Sequence, residues 1–338
     1  VFINCDGLAF SGDKYLLVYD GLTPSMDLYN VDNGGFVFIL SGASPFSLGR
    51  PVWSPTANEW VDLATDIGTR MEVHFTSFNK LTLAQTATVL AGNEGAAANT
   101  FQPYALICRP STGICYGVLR GGIIWTYNSN THAAGASVNY GGFGLTIGSL
   151  GLNDSGNRIY AALQGGTPQV RVFAASTLAF VASFVLPSSL VNGCIYNPDN
   201  GSLYVAGNDG GGDGGDVVGV MNPVTGAITK TIRLLTNIWA NTALTFYPTT
   251  FAYNSDSRQI YIFASIQRNV PPANAGVQVI CTNSNTKVAF LSNGVDPQFG
   301  LFQGDVVYAN VQNTTPPSKP TIFMDESINN FIRGYTFP

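Results

Sequence analysis

Apolar, β-branched and aromatic runs alternate along this chain with clusters of Asn, Asp, Gly, Pro and Ser. Runs of this kind suit half-buried strands, and the polar clusters supply the backbone conformations of tight turns. Four segments align without gaps, each with a core residue, Asn or Arg, a turn cluster and a strand: CRPSTGICYGV (108–118), LNDSGNRIYAA (152–162), YNPDNGSLYVA (196–206) and YNSDSRQIYIF (253–263). The pattern predicts a repeated β-hairpin.

A tyrosine occupies the same place in each aligned segment: Tyr116, Tyr160, Tyr204 and Tyr261. Weaker copies near Leu16, Val61 and Tyr308 give seven anchors, 44 to 57 residues apart. A second hairpin signal follows the anchors, as in VVGVMNPVTGAITKTIRL (217–234). Each unit is therefore predicted to have four antiparallel strands, labelled A to D in chain order.

Seven four-stranded units of this length predict an all-β fold, a seven-bladed β-propeller that forms a single domain over residues 1–338. One such sheet cannot bury both of its faces alone, so the blades are expected to stack around an axis. The approximate blades are 1–41, 42–91, 92–142, 143–187, 188–236, 237–293 and 294–338.

The hairpin YNPDNGSLYVA (196–206), followed by NPVTGAITKTI (222–232), resembles the YVTN and lactonase-like seven-bladed propellers. The resemblance extends over nearly the whole chain as a repeat, and it implies a fold and no particular activity. Their usual Val-Ile-Asp-x-x-Thr motif survives only as GVMNPVTG (219–226), and the Trp-Asp and Gly-His dipeptides of WD40 blades are missing. The acids, His or Arg of lactonase-type channel mouths match no residue here position by position.

Charged residues make up only 10% of the chain, against about 25% in an average soluble domain. The net charge is −5 without a basic cluster, so nucleic-acid binding is not expected. No apolar run reaches the roughly 18 residues of a membrane span, so membrane insertion is not expected. Few charges with much Gly, Asn, Ser and Thr favour an extracellular or virion-surface location.

The stretch VAGNDGGGDGGDVVGV (205–220) places an Asp-Gly tract between strands B and C of the fifth blade. Carboxylate oxygens on a flexible loop can coordinate Ca²⁺, and the candidate ligands are Asp209, Asp213 and Asp216, with Asn208 beside them. The spacing is not that of an EF-hand, so a solvated loop without metal is the competing interpretation. No other cofactor is indicated.

Two further loops are long and stiffened by proline, RNVPPANAG (268–276) and QNTTPPSKP (312–320). Long irregular loops in a compact domain are usually functional or disordered. Because strand B–C and D–A loops emerge on one face of a propeller, these loops and the Asp-Gly tract predict a shared partner-binding surface. Its candidate residues are Asn208, Arg268, Pro271, Pro272, Pro316 and Pro317.

The five cysteines are an odd number, so at least one lacks a partner within the chain. Cys108 and Cys115 flank a turn and can face each other across a hairpin as a disulfide. The alternative is a free thiol in the core, since the other repeats have an aliphatic residue where Cys115 stands.

Catalytic signals are weak. His74 and His132 lie near no nucleophile motif, and nothing in the sequence brings two of Asp6, Asp66, Glu72 and Asp296 together as a glycosidase pair. The four tryptophans, Trp53, Trp60, Trp125 and Trp239, do not recur at one offset, unlike the stacking residues of lectin propellers.

We therefore interpret the chain as a non-enzymatic structural or binding propeller. The preferred version is a virion component, such as a phage decoration, tail or receptor-binding protein, or a secreted surface protein. Its expected partners are proteins or a host-surface ligand within a larger assembly. Two alternatives stay open, a lactonase-like or other hydrolytic enzyme and a carbohydrate-binding propeller that takes a glycan.

Overall fold

The structure is a computed structural model of the chain. The residues it describes are 5–20, 25–31, 35–41, 51–66, 71–94, 105–119, 122–140, 146–164, 167–186, 190–208, 216–234, 251–264, 276–292, 306–309, 321–326 and 331–336. Contacts divide the chain into two compact units, residues 1–144 with 307–338 and residues 145–306. The prediction of a single domain stays a prediction.

The first unit contains three four-stranded sheets and nearly all of a fourth, three-stranded sheet. Sheet 1 has β1 (Cys5–Phe10), β2 (Tyr15–Asp20), β3 (Ser25–Asn30) and β4 (Gly35–Ser41). Sheet 2 has β5 (Val52–Ser54), β6 (Glu59–Thr65), β7 (Glu72–Asn79) and β8 (Gln85–Asn93). Sheet 3 has β9 (Ala105–Cys108), β10 (Ile114–Val118), β11 (Ile123–Asn128) and β12 (Ala133–Asn139). Sheet 7 has β25 (Val306–Ala309), β26 (Thr321–Glu326) and β27 (Phe331–Thr336).

The second unit contains three four-stranded sheets. Sheet 4 has β13 (Thr146–Asn153), β14 (Arg158–Gln164), β15 (Gln169–Ala174) and β16 (Phe180–Val185). Sheet 5 has β17 (Leu190–Asn197), β18 (Ser202–Asn208), β19 (Asp216–Met221) and β20 (Ile228–Arg233). Sheet 6 has β21 (Phe251–Asn254), β22 (Gln259–Ala264), β23 (Gly276–Cys281) and β24 (Thr286–Ser292).

Each four-stranded sheet is an antiparallel meander whose strands pair in chain order, as the repeat predicts. The described residues form six four-stranded blades and not the predicted seven, and sheet 7 has three described strands. The strand A that the repeat places ahead of β25 falls in residues 293–305, outside the described residues.

The fourth strand of each four-stranded sheet interrupts its pairing near its start. In sheet 1, Leu28 pairs with Phe38 and Tyr29 pairs with Phe36, so Val37 is left out of the ladder. Register shifts occur at the corresponding place in the other five sheets. A bulge twists an edge strand and hinders its pairing with another chain. The sheets therefore protect their own outer edges.

The hydrophobic core of the first unit lies between neighbouring sheets. Leu17, Tyr19 and Met26 of sheet 1 belong to one buried cluster with Trp60 and Phe78 of sheet 2. A second cluster joins sheets 2 and 3, where the rings of Phe75 and Tyr127 stack with centroids 5.1 Å apart. Burying each large apolar side chain stabilises the fold by about 1.5–3 kcal/mol, so packing between sheets holds them together.

The second unit repeats this arrangement between sheets 4, 5 and 6. The repeated tyrosines are core residues here, since Tyr160, Tyr204 and Tyr261 are each at most 2% exposed. Burial raises the pKa of Tyr160, while a hydrogen bond to Asn153 in the preceding turn lowers it in part. The Tyr261 hydroxyl donates to Oε1 of Gln259 on its own strand at 2.6 Å. Polar residues of the same sheet therefore satisfy these buried hydroxyls.

Candidate interaction surface

The candidate calcium ligands lie mostly outside the described residues. Asp209 and Asp213 fall in 209–215, and only the backbone of Asn208 and Asp216 is described, as paired ends of β18 and β19. Among the described residues, no group of three or more His, Cys, Asp or Glu side chains can hold a metal ion. The calcium site stays a prediction.

The predicted partner-binding loops also lie outside the described residues. Residues 265–275 contain three of the candidates and residues 310–320 contain two: Arg268, Pro271, Pro272, Pro316 and Pro317. Their role as one shared surface stays a prediction.

The structure does not bring the histidines together. The Nε2 atom of His74 lies 3.3 Å from Oε2 of Glu72 on the same strand, whereas His132 Nε2 lies 2.9 Å from Oε2 of Glu59 in the neighbouring sheet. Oδ1 of Asp66 accepts backbone hydrogen bonds from Met71 and Glu72. Asp66 therefore fixes a turn and Glu59 joins two sheets. Asp296 and the side chain of Asp6 lie outside the described residues.

The described tryptophans are structural. Trp60 and Trp125 are buried, with their indole N–H groups donating to the Lys80 carbonyl at 3.0 Å and to Glu94 Oε1 at 2.9 Å. Trp53 is half-buried against Trp60, with ring centroids 4.9 Å apart. Trp239 falls in 235–250, outside the described residues.

A disulfide joins Cys108 of β9 to Cys115 of β10. The two residues face each other directly in the ladder, so the bond ties two adjacent strands of sheet 3. In the described part of the chain, Cys194 and Cys281 take no part in a disulfide, and the first is buried and the second half-buried. The side chain of Cys5 lies outside the described residues.

Three of the β-turns between the third and fourth strands are each capped by an asparagine in the same way. The Oδ1 of Asn79 accepts the backbone N–H groups of Leu81 and Thr82 at 3.0 and 3.1 Å. Asn128 and Asn222 make the same pair of bonds in sheets 3 and 5. An asparagine side chain that mimics a backbone turn in this way fixes the turn conformation. These turns, and those between the first and second strands, lie at one end of each meander, which we call the turn end.

Two capped turns hold an apolar side chain at their tips. Leu81 in the first unit is 46% exposed and Val224 in the second unit is 82% exposed, and each is two residues after its capping asparagine. In both turns the residue four positions after the cap has positive φ, at Leu83 (49°) and Gly226 (74°). The tips are therefore apolar side chains held on fixed backbone, the property expected of binding anchors.

Charged side chains join neighbouring turn ends in the first unit. Lys80 Nζ lies 2.5 Å from Oδ2 of Asp13, which links sheets 2 and 1, and the His132–Glu59 pair links sheets 3 and 2. Burial raises the pKa of Asp13, but hydrogen bonds from Lys80 and Ser11 outweigh this effect and hold the pKa below its usual value. The carboxylate form of Asp13 is therefore stabilised in the folded protein.

Uncharged groups do most of the joining in the second unit. The Tyr204 hydroxyl in sheet 5 donates to Asn285 of sheet 6 at 2.5 Å, and Asn200 Nδ2 donates to the same hydroxyl at 2.8 Å. The Tyr253 hydroxyl donates to Asp199. Burial, together with this carboxylate, raises the pKa of Tyr253. Hydrogen bonds thus join the turn ends of sheets 5 and 6.

The sequence did not single out the turn end, because its contacts join residues far apart in the chain. Lys80 and Asp13 are 67 positions apart and belong to different sheets. The available signal is the recurrence of Asn before several of the turns, which by itself indicates only hairpins.

No family model and no curated protein matches this sequence. Among solved structures, the chain is similar to the β-propeller domain of Cps50 (Swd1) from Myceliophteria thermophila. The TM-score is 0.65 at 10% sequence identity, and the similarity covers 99% of this chain and 96% of that domain. At this identity the likeness shows the fold alone. The prediction of an all-β propeller is therefore confirmed, while the YVTN or lactonase-like type stays an interpretation.

Proposed function

We propose that this chain is a non-enzymatic propeller that binds a protein partner through the turn ends of its sheets. The observation that carries the proposal is the presentation of Leu81 and Val224, 46% and 82% exposed, at turns whose backbone is fixed by asparagine caps. Because such tips lose little conformational freedom on binding, each can contribute fully as a buried anchor. The similarity to a propeller domain agrees with this proposal at the level of fold.

The proposal places the protein in a virion or at an extracellular surface. Disulfides persist in oxidising environments and are rare in reducing ones, so the Cys108–Cys115 bond agrees with this location. The low charge of the chain agrees with it as well. Analysis of free and bonded thiols in protein purified from its native source tests the location, and a free Cys108–Cys115 pair there would contradict it.

Matched variants test the binding role. In the first unit, Leu81→Asp changes a turn tip, and its control is Leu90→Asp on β8, where Leu90 is 52% exposed. In the second unit, Val224→Asp changes a turn tip, and its control is Val185→Asp at the end of β16, where Val185 is 67% exposed. Each variant is used as bait in its native source, with crosslinking before recovery. We expect at least one tip variant to recover about tenfold less of a defined partner than its matched control. Equal recovery within both pairs would refute the proposal.

A further inference from the structure

The ammonium group of Lys80 lies among groups that recognise cations. Its Nζ atom is 2.5 Å from Oδ2 of Asp13, 5.0 Å from the ring centroid of Trp53 and 5.5 Å from that of Tyr15. A cation within about 6 Å of an aromatic ring is attracted by the ring's negative face. The Lys80 side chain is 15% exposed and the Asp13 side chain is 40% exposed.

Contacts that do not involve the ammonium group hold the walls of this site. The Ser11 hydroxyl donates to Asp13 and accepts the backbone N–H of Tyr15 at 3.1 Å. Trp53 packs edge-on against Trp60 with ring centroids 4.9 Å apart. The walls are therefore expected to keep their arrangement when the Lys80 ammonium is removed.

The backbone of Lys80 is held separately, because the indole N–H of Trp60 donates to its carbonyl at 3.0 Å. Truncation of Lys80 to alanine is therefore expected to leave the turn in place. It empties only the space that the side-chain atoms beyond Cβ occupy. A carboxylate on one side and two aromatic rings on the others suit a primary or methylated ammonium group.

We propose that Asp13, Tyr15 and Trp53 form a binding pocket for alkylammonium groups, which Lys80 occupies as an internal ligand. A tethered ligand acts at a high effective concentration, so free ammonium compounds do not displace Lys80 from the unmodified protein. Truncation of the Lys80 side chain, or its movement out of the pocket, opens the pocket to an ammonium group supplied from outside, such as the side chain of another lysine. The pocket does not depend on the proposed partner-binding role.

Chemical rescue tests the pocket. Lys80→Ala removes three carbons and the ammonium nitrogen, and n-propylammonium supplies the same atoms. Lys14 Nζ is also 5.5 Å from the Tyr15 ring centroid, so the rescue is measured in Lys14→Gln/Lys80→Ala. With a dissociation constant on the order of 10 mM, about 100 mM n-propylammonium should raise the Tm by about 2 °C over sodium at equal ionic strength.

Two control variants separate pocket binding from general effects of the salt. Lys80→Met, made with Lys14→Gln, fills the same space without a charge and should show no rescue. Asp13→Asn in the Lys80→Ala background removes the carboxylate charge and should abolish most of the rise in Tm. Equal stabilisation of the Ala and Met variants, or stabilisation of neither, would overturn the proposal.

The reactivity of Lys80 tests the proposal without truncation of its side chain, which is needed if Lys80→Ala does not fold. In otherwise unmodified protein, the rate of reductive methylation of Lys80 is compared by mass spectrometry with that of Lys287. Asp13→Asn should increase the Lys80 rate severalfold relative to Lys287, since the ammonium loses its ionic partner. An unchanged ratio would contradict the proposal.

Discussion

The hydrogen bond between Trp125 and Glu94 is expected to stabilise the fold more than the bond that Trp60 makes. Both tryptophans are buried and each donates one hydrogen bond from its indole nitrogen. Trp60 donates to a backbone carbonyl at 3.0 Å, whereas Trp125 donates at 2.9 Å to the carboxyl group of Glu94, which is 3% exposed. Replacement of either tryptophan by Phe removes the same atoms. The two variants differ chiefly in the acceptor that loses its hydrogen bond, a backbone carbonyl for Trp60 and a carboxyl group for Trp125.

The acceptors set the expected magnitudes. A hydrogen bond to an uncharged group contributes about 0.5–1.5 kcal/mol to stability and one to a charged group about 1.5–3 kcal/mol. With Glu94 as a carboxylate, Trp125→Phe should therefore cost about 1–1.5 kcal/mol more than Trp60→Phe. The part of the cost that comes from the smaller ring is similar in both variants, because both rings are closely packed.

Urea unfolding followed by circular dichroism measures both free energies of unfolding. Glu94→Gln completes a double-mutant cycle with Trp125→Phe, and the expected coupling is at least about 0.5 kcal/mol. A Trp125→Phe variant that loses no more stability than Trp60→Phe would refute the reasoning. A coupling of zero would show that the charge of the carboxyl group does not contribute through this bond, since the glutamine oxygen can still accept it.

Three further predictions concern titration, reactivity and packing. Burial raises the pKa of Tyr127 from 10.0 to about 12, so the stability it contributes is present below pH 10 and lost as the pH rises to 12. The part of the tyrosinate absorbance that a Tyr127→Phe variant lacks should therefore increase together with unfolding, and its increase in still-folded protein near pH 10 would contradict this. Hydrogen bonds from Ser284 lower the pKa of Cys281, so native protein should react with a thiol reagent at Cys281 well before the buried Cys194, and the reverse order would contradict this. Gly226→Ala should cost about 2–4 kcal/mol in urea unfolding, because φ is 74° and a Cβ would lie 2.3 Å from the Phe184 ring; a loss below about 1 kcal/mol would be inconsistent with that contact.

The sheets were predictable from the sequence because their signals are local. Asn153 caps its turn with a bond to the backbone N–H of Gly156 at 2.8 Å and also faces the hydroxyl of Tyr160, so turn and strand keep a fixed spacing. A repeat of that spacing is visible without knowledge of the neighbouring sheets. The strands of sheets 4 and 5 follow directly from it.

Contacts between sheets leave no such signal. Glu94 and Trp125 are 31 positions apart, and Lys80 and Asp13 are 67 apart. Which side chains meet depends on how the sheets pack, and the bulges in the outer strands shift the register further. The sequence therefore predicted hairpins and a β-propeller, while the Lys80 pocket and the turn tips required the structure.

The composition acquires a physical explanation from these contacts. Sheets 2 and 3 are joined by the hydroxyls of Ser54 and Ser129 at 2.7 Å and by those of Ser77 and Tyr127 at 2.7 Å, and sheets 5 and 6 by Tyr204 and Asn285. Uncharged hydrogen bonds of this kind avoid the desolvation cost of a buried ion pair and are not screened by salt. A chain with only 10% charged residues can therefore hold its sheets together. The abundance of Asn, Ser and Thr first suggested a surface environment, but part of it is required by the fold itself.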